Sequence, residues 1–289
     1  FFIPFLKRSE IKFEVYLMTK DKSFNFVLVN NKYHLEDIDN IPLGISHVIH
    51  LAVPSTPVAL DNLGSNDIFS YFQTRERINY ICSINKSKLI YFSSGAVFGR
   101  NSYEKKICSY KKSCIENQFK DDPYTSLKIL DESNFYLNSK ANKFPLIIIN
   151  LYNVLLPNQL QRPHFAVTQF ISAAINSDQI LVKSPKTLRS FIGIDEIIFS
   201  LLWSITFEES FGRFSLGSHN PISMIELAKT ISKYYGDEDV KCFDSESSNI
   251  SAYYPKDFEI HQSLLPLSKV PNDEYILGLL NEINIKQKH

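Results

Sequence analysis

Tyr124-Thr-Ser-Leu-Lys128, preceded by Asp122-Pro123, is the sharpest chemical pattern in the chain. Proline suits the first position of a helix, and residues four apart share one helical face. A phenol beside an ammonium has physical meaning: the positive charge favours the phenolate and draws its proton affinity down from about 10. Such a tyrosine can give and take a proton in a reaction. Spacing alone favours a blander arrangement, two neighbours on a solvent-facing surface. Upstream, Tyr91-Phe-Ser-Ser-Gly-Ala-Val-Phe-Gly99 reads as a buried strand ending in two serines and a glycine-bounded turn. Open α/β sheets bind ligands beyond the carboxyl ends of their strands. Ser94 could donate there to a substrate oxygen while Tyr124 moves its proton. The alternative is a plain strand-to-loop turn with Ser94 bonded to backbone.

The elements that must position these residues alternate. Phe13–Thr19, Phe26–Val29, Ser46–Val53, Lys88–Ser93 and Pro145–Tyr152 read as strands. Several are apolar on consecutive residues, the mark of strands buried on both faces. Phe1–Ser9, Asp67–Asn85 and Pro123–Ala141 read as helices between them. This alternation predicts an α/β fold, a doubly wound parallel sheet with helices on both sides. After Pro157 the pattern becomes mixed. Phe165–Asn176, Asp195–Thr206, Ile222–Tyr235 and Asp273–Ile283 read as helices, with short strands near Gln179–Val182 and Phe214–Leu216. Ser223 and Glu226 suit a capping pair at the start of the third of these. The expected division is therefore residues 1–157 as a dinucleotide-type domain and 158–289 as a smaller mixed α/β domain.

Composition sets outer limits. The 289 residues carry 31 Lys+Arg against 31 Asp+Glu, which argues against a general polyanion binder and hence against nucleic acid. No apolar run approaches the ~20 residues of a membrane span. Phe1–Leu6 is too short for a signal peptide. The four cysteines lack CxxC spacing and read as reduced thiols of a cytoplasmic protein. The seven histidines include no HExxH pair, so no metal is expected. Nine glycines is few, against ~20 at average usage.

Together these motifs resemble the extended short-chain dehydrogenase/reductases, specifically the NAD-dependent epimerase/dehydratase family acting on nucleotide sugars. His50-Leu51-Ala52 is similar to that family's fourth-strand segment, and Ser93-Ser-Gly-Ala-Val-Phe-Gly99 to its "SS…VYG" signature. Tyr124 and Lys128 fall on its catalytic pair and Ser94 on its Ser/Thr. Asn153-Val-Leu-Leu-Pro157, Arg189-Ser-Phe191 with Asp195, and Gly212–Gly217 match its later motifs in order. The resemblance implies a Rossmann-type fold with a C-terminal substrate domain, and a hydride relay to a nicotinamide. Tyr124 would then move the hydroxyl proton, Ser94 would polarise the carbonyl, and Lys128 would hold the nicotinamide ribose. Leu51, Ala52 and Val53 would line the cofactor. Asn153 and Arg189 would approach the diphosphate, arginine because its fork pairs with phosphate oxygens. The implied partner is a nucleotide-diphosphate sugar, the assembly a homodimer through the helices Asp67–Asn85 and Pro123–Ala141, and the setting surface-polysaccharide or related sugar synthesis.

Departures from the family pattern sharpen the expectation. The first strand and its glycine fingerprint are not in the sequence, so the chain reads as a truncation or as one that has lost its main cofactor grip. Gly95 and Ala96 stand where dehydratases carry an acid pair, which disfavours 4,6-dehydration and leaves an epimerase or ketosugar reductase. Asn150 replaces an expected arginine and Leu156 a glycine. Thr19-Lys20 replaces the acidic residue that would bond the NAD ribose, and a basic residue there can accommodate a 2′-phosphate, which keeps NADP open beside NAD. The competing class is a non-catalytic nucleotide-sugar or regulatory binding protein on the same scaffold.

Overall fold

The computed structural model describes residues 14–17, 32–35, 41, 43–51, 64–98, 123–156, 158–161, 163, 165–218, 220–236, 239–243, 252–255 and 272–287. The chain divides into two compact units. One comprises Phe1–Phe92, Asp122–Ile148 and Leu201–Gly212, the other Ser93–Asp121, Ile149–Ser200 and Arg213–His289.

In the first unit, β1 (Glu14–Leu17) pairs in parallel with β2 (Lys32–Leu35). β3 (His47–His50) pairs in parallel with β4 (Lys88–Ser94), His47 opposite Lys88 and His50 opposite Tyr91. With β5 (Leu146–Leu151) and β10 (Phe211–Leu216) they form a sheet ordered β10-β5-β4-β3. Consecutive residues of β4 and β5 are buried, as both-sided cover requires. The flanking helices are α1 (Ser65–Asn85) and α2 (Pro123–Asn142). Ile78, Ile81 and Cys82 of α1 and Phe135 of α2 join Leu89, Tyr91, Leu146 and Ile148 in one core. Each such side chain contributes about 1.5–3 kcal/mol on burial. The fold is α/β, a parallel sheet flanked by helices, as the buried strand pattern predicts.

Both helices end on a lysine in the left-handed region. Lys86 has φ 54° and Lys143 φ 55°. The Lys86 side chain also donates to the Asn142 carbonyl at 2.7 Å. Lys88, the first residue of β4, reaches the last turn of α4 (Ile194–Thr206). Its ammonium donates to the carbonyls of Ser204 (3.2 Å), Ile205 (2.9 Å) and Phe207.

In the second unit, short strands tie loops together. β6 (Asn153–Val154) pairs with β9 (Phe191–Ile192). β8 (Leu188–Arg189) lies between β11 (Ile222–Ser223) and β13 (Ala252–Tyr253). β7 (Ile180–Val182) pairs with β12 (Val240–Cys242). Helices α3 (Ala166–Ile175), α5 (Met224–Tyr235) and α6 (Asn272–Gln287) pack a second core from Phe170, Ile171, Leu227, Ile231, Ile276 and Leu280. The capping pair of α5 forms: Glu226 N–H donates to Ser223 Oγ at 3.2 Å, and Ser223 N–H to the Glu226 carboxylate at 2.9 Å. The helix begins at Met224 rather than Ile222, because Ile222 and Ser223 pair with β8. The two-residue strands β6, β8, β9, β11 and β13 lie outside the sequence expectation, since two residues carry no periodicity. Phe1–Ser9 and Phe26–Val29 lie outside the described residues. Among the described residues no helix is long and apolar enough to cross a membrane.

Candidate functional site

Tyr124 and Lys128 belong to the first unit, and Ser94, Asn153 and Arg189 to the second. On α2 the helical repeat brings Tyr124 and Lys128 to one face, with the Lys128 Nζ 6.0 Å from the centre of the Tyr124 ring. They are not solvent-facing neighbours. Tyr124 is half-buried and Lys128 only 3% exposed. The Lys128 ammonium lies 4.8 Å from the centre of the Tyr91 ring and donates to the Phe92 carbonyl at 2.6 Å. Burial pushes its proton affinity down to about 8, opposed by the carboxylates of Asp131 and Glu132.

One turn further along α2 is a buried polar cluster. Asp131 Oδ2 accepts hydrogen bonds from Tyr91 (2.8 Å) and Tyr71. Its Oδ1 faces Arg75 Nη1 at 3.7 Å. Burial raises the Asp131 carboxyl above its usual range, while the two phenols, Lys128 and Arg75 pull it back. His50 of β3 stacks on Tyr91 with ring centres 5.4 Å apart. Burial first, and then Lys128, drop His50 to about 4, so it is neutral at physiological pH.

In the second unit, Ser94 ends β4 and its hydroxyl shares a hydrogen bond with the Tyr253 phenol at 3.1 Å. The Ala96 N–H also donates to it at 3.2 Å. The hydroxyl therefore meets its own turn, as the simpler sequence reading held, and a phenol as well. Glycine at 95 lets the Tyr152 ring approach closely, because a Cβ there would stand 2.5 Å from Cζ of Tyr152. No acidic side chain fits at 95 while Tyr152 holds its place. Asn150 is fully buried, donates to the Ser94 carbonyl (3.2 Å) and accepts from Arg213 Nε (3.1 Å). The Arg213 guanidinium lies 4.8 Å from the centre of the Phe98 ring. Asn153 donates to the Ser190 carbonyl at 2.8 Å, and Arg189 Nη1 to the Leu188 carbonyl at 2.8 Å.

Leu51 follows β3 and is 65% exposed. Thr19, Lys20, Ala52 and Val53 lie outside the described residues. No group of three or more His, Cys, Asp or Glu able to hold a metal ion occurs among the described residues.

The model of the NAD dependent epimerase/dehydratase family matches residues 18–217 of this chain. The chain belongs to that family. A curated relative, the dTDP-L-rhamnose 4-epimerase of Burkholderia thailandensis, is 26% identical over 117 residues, which is 39% of this chain and 32% of that protein. The match thus spans about a third of that relative's length. Among solved structures, the UDP-N-acetylglucosamine 4-epimerase of Methanobrevibacter ruminantium, bound to UDP-N-acetylmuramic acid, superposes with a TM-score of 0.69 at 21% identity, over 90% of this chain and 84% of that one. The Bordetella bronchiseptica enzyme WbmG in complex with NAD gives 0.73 at 15% identity, over 98% and 89%. The UDP-glucuronic acid 4-epimerase of Bacillus cereus, with UDP-glucuronic acid and NAD, gives 0.67 at 19%, over 90% and 83%. At these identities the superpositions establish the shared fold.

The family's cofactor can be tested against the donors present. An ammonium has three N–H donors. Among the described residues Lys128 directs one of them, to the Phe92 carbonyl. Two donors remain for hydroxyl groups such as those of a ribose, in a buried setting where charged hydrogen bonds are strong. These residues fit the nicotinamide ribose. Sequence reasoning did not single out Asp131, Tyr152, Arg213 or Tyr253. Asp131 carried a usable signal, since an acid three residues after the lysine shares its helical face. The other three carried none, because their partners are remote in sequence.

Proposed function

We propose that this chain is an NAD(P)-dependent nucleotide-sugar epimerase, or a ketosugar reductase using the same relay. The observation that carries the reading is the buried Lys128 ammonium on the Tyr124 face of α2, anchored to the Phe92 carbonyl. The nicotinamide, when bound, supplies the hydride acceptor and donor. Tyr124 removes the proton from a sugar hydroxyl and returns it. The Lys128 charge favours the phenolate that this requires. Its remaining donors hold the cofactor's ribose hydroxyls. Ser94 donates to the sugar oxygen and polarises the carbonyl as it forms. Arg189 and Asn153 face the diphosphate of the substrate.

Gly95 supports the case against 4,6-dehydration, since the packed Tyr152 ring leaves no room for an acid there. NAD is favoured by the family and by the neighbours crystallised with it, and Lys20 keeps NADP in the comparison. Residues 1–157 would hold the dinucleotide and 158–289 the sugar. Phe69, Tyr80 and Ile84 of α1 and Leu137 of α2 are exposed apolar residues suited to a homodimer contact. A cytoplasmic enzyme supplying activated sugars for polysaccharide synthesis completes the reading.

The test is incubation of the purified chain with NAD or NADP and a panel of UDP- and dTDP-sugars, followed by chromatography of the nucleotide sugars. Interconversion of two epimers, or NAD(P)H-dependent reduction of a 4-keto sugar, is expected. Calorimetric binding of a nucleotide sugar with neither turnover nor NAD(P)H binding would instead establish the non-catalytic class.

A further inference from the structure

Asp131 is a buried carboxylate that the proposed reaction does not use. It is 1% exposed and lies three residues past Lys128, on the same helical face. One of its oxygens accepts from two phenols, Tyr71 of α1 and Tyr91 of β4, while the other faces the Arg75 guanidinium at 3.7 Å. Two donating phenols on Oδ2 and a guanidinium facing Oδ1 suit an ionised carboxylate, which is acceptor-only, although Oδ1 itself accepts no hydrogen bond among the described residues. A protonated acid would have to donate through one of these oxygens. Burying an anion costs several kcal/mol unless charges and hydrogen bonds compensate it. Here the compensation comes from two separate elements converging on one side chain, and Tyr91 joins it to Lys128 by giving its hydroxyl to Asp131 and its ring to the ammonium.

We propose that Asp131 is a positioning residue, the fixed counter-charge that keeps Lys128 protonated and its ammonium directed by the Phe92 carbonyl. The proposal rests on the reading of Tyr124 and Lys128 as the reactive pair. Among the described residues, the titratable groups around Lys128 and Asp131 come from four elements. From β3, His50 is neutral. From β4, Tyr91 presents its ring to the ammonium and its hydroxyl to Asp131. From α1, Tyr71 and Arg75 act on Asp131. On α2 itself stand Tyr124, Asp131 and Glu132. Of the two carboxylates that oppose the desolvation of Lys128, Asp131 contributes more than Glu132. Neutralising Asp131 leaves Lys128 and Arg75, two cations, with Glu132 acting on Lys128 and the exposed Glu76 paired with Arg75 at 3.4 Å as the carboxylates that remain among the described residues. Lys128 then loses its proton at lower pH.

The test reads Lys128 directly, with neither cofactor nor substrate. The chain is labelled with 13Cε-lysine and titrated by NMR, and the Lys128 resonance is assigned by its loss in Lys128→Arg. Wild type should titrate near about 8. Asp131→Asn should lower that midpoint by about 1 pH unit or more, the usual effect of removing a close opposite charge. Asp131→Glu should restore it. Arg75→Gln, which removes a cation competing for the same carboxylate, should move it the opposite way, upward. An unmoved Lys128 midpoint in folded Asp131→Asn overturns the proposal. If that variant does not fold, an unmoved or lowered midpoint in Arg75→Gln overturns it. A shifted midpoint in a chain that converts no nucleotide sugar rejects the enzymatic reading and leaves the coupling standing. An unshifted midpoint in an active enzyme does the reverse.

Discussion

β4 meets a lysine ammonium towards each of its ends, and the two are used differently. Lys88 at its start donates to three main-chain carbonyls, so its three N–H donors are saturated. Lys128 donates to the single carbonyl of Phe92, among the described residues, and lies 4.8 Å from the centre of the Tyr91 ring. Burial lowers the proton affinity of both. The lesson is that a shifted lysine is not by itself a sign of chemistry. What separates a staple from a reactive group is how many of its donors are already committed, and to what.

The largest test of this contrast is the hydroxyl that Lys128 is proposed to serve. Tyr124→Phe should cut turnover by about 10²–10⁴-fold, the usual share of a general acid–base group, with the far-UV spectrum unchanged. Turnover surviving that change would return Lys128 to the same class as Lys88. Next is the pair of lysine replacements. Lys128→Met should reduce NADH affinity, read by fluorescence titration, along with turnover. Lys88→Met should leave kcat alone and lower the unfolding free energy by roughly 1–3 kcal/mol through three lost charged hydrogen bonds, two of whose carbonyls lie at the end of α4. Equal effects of the two on kcat would break the contrast.

Much of the frame behind these tests is legible in the sequence, for a reason that particular residues illustrate. Tyr124 and Lys128 are four residues apart, and Ser223 and Glu226 three, so helical geometry alone puts each pair together. The consecutive apolar residues of β4 and β5 declare cover on both faces. By contrast, Asp131 finds its phenols 60 and 40 residues away, and Ser94 finds Tyr253 at 159. No local periodicity encodes such meetings. β2, at Lys32–Leu35, is polar and alternating, and carries a weaker strand signal than the apolar Phe26–Val29 that precedes it in the sequence.

Two smaller predictions extend the comparison to the neutral groups. Gly95→Ala should destabilise the chain by about 1–3 kcal/mol, because its methyl meets the Tyr152 ring. Tyr152→Ala in the same chain should recover part of that loss in denaturant titration. His50 gives the smallest effect and a defined sign. Its folded proton affinity, about 4, lies below the ordinary 6.5. Between those values the unfolded chain holds a proton that the folded chain does not. Stability should therefore decline as pH falls from about 6.5 towards about 4, and His50→Phe should flatten that decline in thermal melts.

The lysines that end α1 and α2 have a practical consequence for anyone handling this protein. A side chain in the left-handed region costs about 1–2 kcal/mol, which glycine escapes at some expense in unfolded-chain freedom. Lys86 recovers part of that cost through its bond to the Asn142 carbonyl, whereas Lys143 is exposed on its own helix end. Lys143→Gly is thus the more profitable single change for a hardier preparation, and Lys86→Gly the less. A chain so poor in glycine keeps reserves of thermal robustness at its helix ends, away from Tyr124 and Lys128, and open to engineering.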